Sequence, residues 1–156
     1  MAISKLNTLI FNLASGLRVA MPQAGLAEVV LQQTMTPAEG DDEPWLLGFL
    51  EWRGEQVPVV DPGVICGHPV PTGDAIHRFG VLYGLEHIVG LDYYAFALDG
   101  VPHPARVGPD DVLPDTRSET DTCPAVAAAV SIEDQPAVIP DFPFIEHLLE
   151  KRLAHL

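Results

Sequence analysis

Residues 48–61 read Gly48-Phe49-Leu50-Glu51-Trp52-Arg53-Gly54-Glu55-Gln56-Val57-Pro58-Val59-Val60-Asp61, and this stretch carries the chain's clearest fold signal. Phe49 to Trp52 is one β run, Gln56 to Val60 a second, and Arg53-Gly54 supplies the turn that joins them. The stretch therefore predicts a β-hairpin. Pro58 has no N–H to give to a ladder, which points to an edge or bulged strand. Just after Pro44, Trp45-Leu46-Leu47-Gly48 is compatible with one helical turn leading into the hairpin.

Upstream, Leu6 to Asn12 alternates apolar and polar residues with period two. Ala14-Ser15-Gly16 offers turn chemistry, and Leu17, Val19 and Met21 resume the alternation, so a first hairpin is expected. Leu26 to Leu31 is a further short strand. The polar stretch from Pro37 to Pro44, with Glu39, Asp41, Asp42 and Glu43, reads as an exposed loop.

Downstream, Asp61 to Asp74 carries Pro62, Gly63, Gly67, Pro69, Pro71 and Gly73 and reads as a connection without regular structure. His77 to Leu85 and Ile88 to Leu98 are β-rich runs, and Val101, His103, Ala105 and Val107 alternate again. Pro109-Asp110-Asp111 supplies a turn, and Thr116 to Thr122 is a polar connection. Ala125 to Ile132, the turn Glu133-Asp134 and Pro136 to Ile139 predict a last hairpin, although Ala125 to Val130 is also compatible with a helix. Asp141 suits an N-cap, Pro143 is tolerated in a first turn, and Ile145, Leu148, Leu149 and Leu153 share one helical face. Lys151 and Arg152 suit its C-terminal end. Short strands separated by turns, with one terminal helix, favour small barrels or a sandwich over a parallel α/β sheet. No internal repeat is strong enough to use, although both halves are built from hairpins of similar length.

The composition narrows the function. Apolar residues make up 47% of the 156-residue chain and charged residues 19%, which is globular, and a domain of this length can bury a core without metal or disulfide. The formal charge of −14 opposes binding to phosphate backbones and anionic lipid, so neither nucleic acid nor a membrane surface is an expected partner. Met1 to Leu6 has one lysine and no long apolar stretch behind it. Neither a signal peptide nor a membrane span is expected, and a cytoplasmic location follows by default. Cys66 and Cys123 lack the spacing of a zinc site or the density of a disulfide framework and read as reduced thiols.

Signatures of chemistry are absent. There is no glycine-rich phosphate loop, no G-x-S-x-G and no H-E-x-x-H. Cys66-Gly67-His68 places a thiol beside an imidazole, but it lies in a proline-glycine connection with no second ligand pair, so a structural or incidental role is expected. His77, His87 and His103 read as packed or solvated, and Asp41-Asp42-Glu43 and Asp110-Asp111 as solvated clusters. Trp45, Trp52, Tyr93, Tyr94 and Phe96 fit either a core or a docking groove. No catalytic residue, cofactor or metal is expected.

The 48–61 stretch resembles the G-x-x-N-L-R-G-x-x-x-P-V/I-V/I-D signature of CheW-type coupling proteins. Leu9-Ile10-Phe11 looks like that family's first strand, Leu26-Ala27-Glu28-Val29 like its V-x-E-V/I segment, and Ile88-Val89-Gly90-Leu91 like its V-V-G-I/L strand. Pro109 to Pro114 looks like its acidic turn, and Ala137 to Asp141 with Ile145 to Leu149 like its closing strand and helix. The resemblance implies a mostly β fold over 6–153 as one domain, with two small five-stranded β-barrel subdomains sharing a hydrophobic junction and a C-terminal helix. It implies a scaffold between the tip of a methyl-accepting chemoreceptor and the regulatory domain of a histidine kinase. The partner-binding residues it implies are Leu26, Glu28, Gly48, Arg53 and Gly90. Arg53 could instead only decorate a turn, and the two glycines could only meet backbone needs. Glu51 and Trp52 stand where the signature has asparagine and leucine, Asp92-Tyr93-Tyr94 departs from the usual small aliphatics, and the segment from Ala95 to Arg106 is longer. These differences suggest a divergent or auxiliary member, with pilus-based motility as an alternative to flagellar chemotaxis.

Overall fold

The protein, seen here in a computed structural model, is described over residues 6–38, 43–72, 76–108, 112–114 (backbone only) and 123–154. The chain is mostly β strand and ends in a helix. The strands are β1 (Leu6–Leu13), β2 (Arg18–Pro22), β3 (Leu26–Leu31), β4 (Thr36–Pro37), β5 (Leu46–Trp52), β6 (Glu55–Val60), β7 (Arg78–Tyr83), β8 (Tyr93–Val107), β9 (Val112–Pro114), β10 (Val126–Ile132) and β11 (Gln135–Pro140). The helices are α1 (Pro62–Ile65) and α2 (Phe142–Leu153).

The hairpins form where turn chemistry demands them. Arg53 and Gly54 take φ of 50° and 78°, and Glu133 and Asp134 take 55° and 63°. Two successive left-handed residues make the turn whose twist matches that of antiparallel strands. Trp45 to Gly48 is not helical: Leu46 begins β5 opposite Val60, because alternation sends Leu46 and Leu47 to two different cores. Of Ala125 to Val130, Ala125 ends a turn and Val126 to Val130 resolves as strand, paired with β11. Ile88 to Leu91 is a turn and not a strand; Gly90 has φ 84°, Leu91 N–H donates to the Ile88 carbonyl at 3.0 Å, and Val89 is wholly exposed. The 61–74 connection contains α1, whose N-cap Asp61 accepts from Gly63 N–H and whose first turn holds Pro62. Those are ordinary helix-start signals, outweighed in the sequence by the density of proline and glycine. In the acidic stretch, Pro37 belongs to β4 and Glu43 is partly buried, its carboxylate 3.3 Å from Arg152 Nε. Residues 39–42, the 109–111 turn and the 116–122 connection lie outside the described residues.

The topology reveals a repeat. Glu43–Ile65 and Cys123–Ile145 follow the same succession of turn, strand, two-residue turn, strand, Asp cap and helix, position for position. Each first strand has a register shift at the same place, between Leu46 and Gly48 and between Val126 and Ala128. Asp61 N–H donates to the Trp45 carbonyl and Asp141 N–H to the Ala125 carbonyl. The correspondence extends backwards, β1 to β6 matching β7 to β11 once β8 is counted as two strands in line. The repeats exchange strands. One sheet contains β1 and β2 with the second half of β8, β11, β10 and β9; the other contains β7 and the first half of β8 with β3, β6, β5 and β4. Each therefore has five full strands and one short one, and β8 runs through both. The ladders do not close into barrels among the described residues, because β3 pairs only with β7 and β9 only with β10.

Alternation along these strands supplies three cores. In β1, Leu9, Phe11 and Leu13 enter the central junction while Ile10 enters the core of its own sheet. In β8, Tyr94, Phe96 and Leu98 enter the junction, and Ala95 and Ala97 the core of the other sheet. The junction is completed by Ile145 and Leu149 of α2, both essentially inaccessible. Strands buried on both faces read as nearly continuous apolar runs, as Leu9-Ile10-Phe11 does.

One reading of the sequence is overturned outright. Cys66 and Cys123 form a disulfide, with Cα atoms 5.3 Å apart across 57 residues of sequence. They are not reduced thiols, because the exchange of strands brings the end of α1 beside the start of β10.

Candidate docking site

Glu28 lies on β3 opposite Val81 of β7, and Arg53 begins the β5–β6 turn. The structure brings them together. Arg53 Nη2 lies 3.3 Å from Glu28 Oε1, and both side chains are exposed, by 66% and 43%. Such a pair is worth little to stability and is accessible to a competing charge. Trp52 holds both members. Its indole N–H donates to Glu28 Oε2 at 2.9 Å, and the Arg53 guanidinium carbon sits 4.5 Å from its ring centroid. Trp52 is itself buried and meets Tyr93 edge-on at 4.8 Å, while Tyr93 meets Tyr83 at 5.7 Å.

The same side chains bridge β3 and β5 where hydrogen bonding leaves them unpaired. Gln33 Nε2 donates to the Glu51 carbonyl at 2.6 Å. The site is thus a polar clasp over an aromatic floor. At the corresponding place on the other sheet, His103 of β8 lies 3.7 Å from Glu133 of the β10–β11 turn. There the turn residue is acidic where Arg53 is basic.

The other expected site residues are not gathered here. Leu26 begins β3 and packs partly buried against the junction. Gly48 faces β4, where a Cβ would run into the Thr36 carbonyl oxygen. Gly90 has open space around it and needs its left-handed backbone conformation. Of the aromatic residues, Trp45, Trp52, Tyr94 and Phe96 are buried in cores, and Tyr93 lies between Trp52 and Tyr83. His77, His87 and His103 are exposed.

Two buried acids escaped the reading of the sequence. Glu146, on α2, accepts from Leu85 and Glu86 N–H at 2.7 and 2.9 Å and from the Tyr94 hydroxyl at 2.9 Å. Burial, then the Glu146 charge and their hydrogen bond, raises the Tyr94 phenol above its ordinary range. Asp61 accepts from Ser15 N–H, Ser15 Oγ–H and Gly63 N–H at 2.9, 2.6 and 2.9 Å. Burial raises its pKa, and these hydrogen bonds work against that rise. Both acids fasten parts of the fold distant in sequence. An apolar hollow of about 290 Å³ beside the junction is lined by Met21, Leu82, Tyr83, Phe142 and Tyr94, the partner of Glu146, among others. Among the described residues, no cluster of three His, Cys, Asp or Glu side chains could hold a metal, and no helix is long and apolar enough to cross a membrane.

The sequence matches the CheW-like domain over residues 7–150. No curated protein matches it. Among solved structures, the fold is similar to the scaffolding protein TtCheW from Thermoanaerobacter tengcongensis, with 18% identity, a TM-score of 0.66, and coverage of 90% of this chain and 86% of that one.

Proposed function

The chain belongs to the CheW-like domain family, and from that premise we propose that it is a non-catalytic adaptor of a chemosensory system, docking a chemoreceptor tip and the regulatory domain of a histidine kinase. The observation that carries the reading is the exposed Glu28–Arg53 pair seated on Trp52. The arginine is the one that the family signature places after its leucine, and three of its features suit docking. It stands on a tight turn that fixes its origin. It stacks on a buried ring that limits its rotamers, so less entropy is lost on binding. Its side chain is largely exposed, so a partner carboxylate can take the guanidinium in a fork. Leu26, beside Glu28 on β3, supplies apolar contact, and Gly48 and Gly90 shape the backbone around the partner-facing surfaces.

The test is titration of the full chain against a receptor tip and against a kinase regulatory domain, in separate experiments. Arg53→Ala is expected to weaken binding to one of them by about 1–3 kcal/mol while changing stability by roughly 0.5 kcal/mol or less. Unchanged affinity for both would make Arg53 only a turn residue. Binding to one partner alone would make the protein an auxiliary docking module, the reading that its departures at Glu51 and Trp52 favour.

A further inference from the structure

The chain has two cysteines, and the fold places them where each repeat's helix meets the other repeat. Cys66 is the C-cap of α1, which belongs with β6. Cys123 precedes β10, in the place that Glu43 occupies before β5. Across the same junction, α2 is fastened to Glu43 through Arg152. The two helices are therefore tied reciprocally, one by an ion pair and one by a covalent bond. We propose that Cys66–Cys123 is a thiol–disulfide exchange site, through which small-molecule thiols of the glutathione class release and refasten α1 at the junction between the sheets.

Position argues for exchange over a purely structural staple. Both cysteines are partly exposed and pack on the rim of the junction core, outside its fully buried interior. The interior of that core is formed by Leu13, Val19, Val60, Phe96 and Leu149, all fully or almost fully buried, with the two cysteines packed at its edge. Helix α1 is a single turn; besides the disulfide, its C-terminal end is held by its own backbone bonds, from Cys66, Gly67 and His68 N–H to the carbonyls of 62–64, and by the partial packing of Val64 and Ile65. Its N-terminal end stays anchored by the Asp61 bonds to Ser15 and Gly63. Reduction would free one end and leave the other, keeping the thiols near each other and the bond quick to reform. With two cysteines in the chain, no competing pairing within it exists.

The reaction balances without any group from the protein. A thiolate attacks one sulfur, the Cys66–Cys123 bond breaks, and the other cysteine leaves as a thiolate that takes up a proton. A second small thiol resolves the mixed disulfide. The protein gains two protons and two electrons in all, and the small thiols leave as their disulfide.

The exchange chemistry stands on geometry alone; its consequence, altered docking, rests on the adaptor reading. The test treats the oxidised full chain with reduced glutathione under native conditions. Two thiols should appear per chain, circular dichroism should persist, and amide exchange should quicken over 64–72 and 123–126 but not at Asp61 and Gly63 or in β1 or β8. Glutathione disulfide should reverse all three changes. Cys123→Ser should retain a glutathione adduct on Cys66, readable by mass. Thiols released only in denaturant, a reduced chain that unfolds, or an unchanged exchange pattern would each overturn the proposal. Titrating oxidised and reduced protein with the kinase regulatory domain separates the two levels. Equal binding by both forms removes the regulatory consequence, whereas binding by neither form, to this domain or to a receptor tip titrated in the same way, overturns the adaptor reading and leaves the thiol measurements to decide the exchange.

Discussion

Glu146 stands on the inner side of α2, one residue beyond Ile145, and is as buried as its apolar neighbours. A carboxylate is tolerated there because three donors converge on it, two of them backbone N–H groups of the connection between β7 and β8. Glu146→Gln keeps the shape but turns an amide nitrogen toward donors, and it is expected to cost about 1–3 kcal/mol in urea unfolding. The paired Tyr94 makes a pH signature. Its ordinary pKa is 10.0 and folding raises it, so above that pH the unfolded chain releases a proton that the folded chain keeps. The contribution of Tyr94 is therefore fully present below 10.0 and is lost as the pH climbs toward the raised value. Tyr94→Phe should flatten the alkaline fall in stability, and the tyrosinate absorbance due to Tyr94 should appear only as the chain unfolds.

Among the elements, α2 carries a testable share of the packing. Asp141 accepts from Phe144 N–H at 3.0 Å, and Ile145 and Leu149 complete the junction between the two sheets. Replacing either by alanine leaves a cavity in a site walled by β1, β2 and β8, with an expected loss of about 2–5 kcal/mol. Leu148→Ala should cost less in the same denaturation series, since Leu148 is only partly buried. The helical face read from residue spacing thus divides unequally: Ile145 and Leu149, on successive turns, reach the junction while Leu148 lies at its margin.

For the whole molecule, the exchange of strands makes the two repeats inseparable. Neither half of the sequence contains a complete sheet, so a fragment ending before β7 should fail to fold alone. The disulfide strengthens this arrangement by closing 57 residues into a loop, which constrains the unfolded chain. Its removal in Cys66→Ser/Cys123→Ser is expected to cost about 2–4 kcal/mol. Chemical denaturation of the double variant against the oxidised protein checks this, and the variant should remain folded because the junction core is otherwise intact.

The hairpins, the Asp141 cap and the final helix were legible from the sequence because each depends on residues a few positions apart. A two-residue turn needs left-handed backbone, a cap needs a side-chain acceptor, and alternation follows from the pleat. The repeat was not read from the sequence beyond hairpins of similar length in both halves; Pro44 and Asp61 do recur at the spacing of Pro124 and Asp141, but side chains diverge while strands keep their backbone requirements. Glu28 and Arg53 were identified separately through family resemblance, but their meeting on Trp52 was not, because β3 and the β5–β6 turn approach each other only in the folded sheet. The disulfide and the buried Glu146 were hidden for the same reason. Local pattern shows that a strand has two faces and a helix two ends; which distant segment covers each is decided by the exchange of strands that closes the junction core.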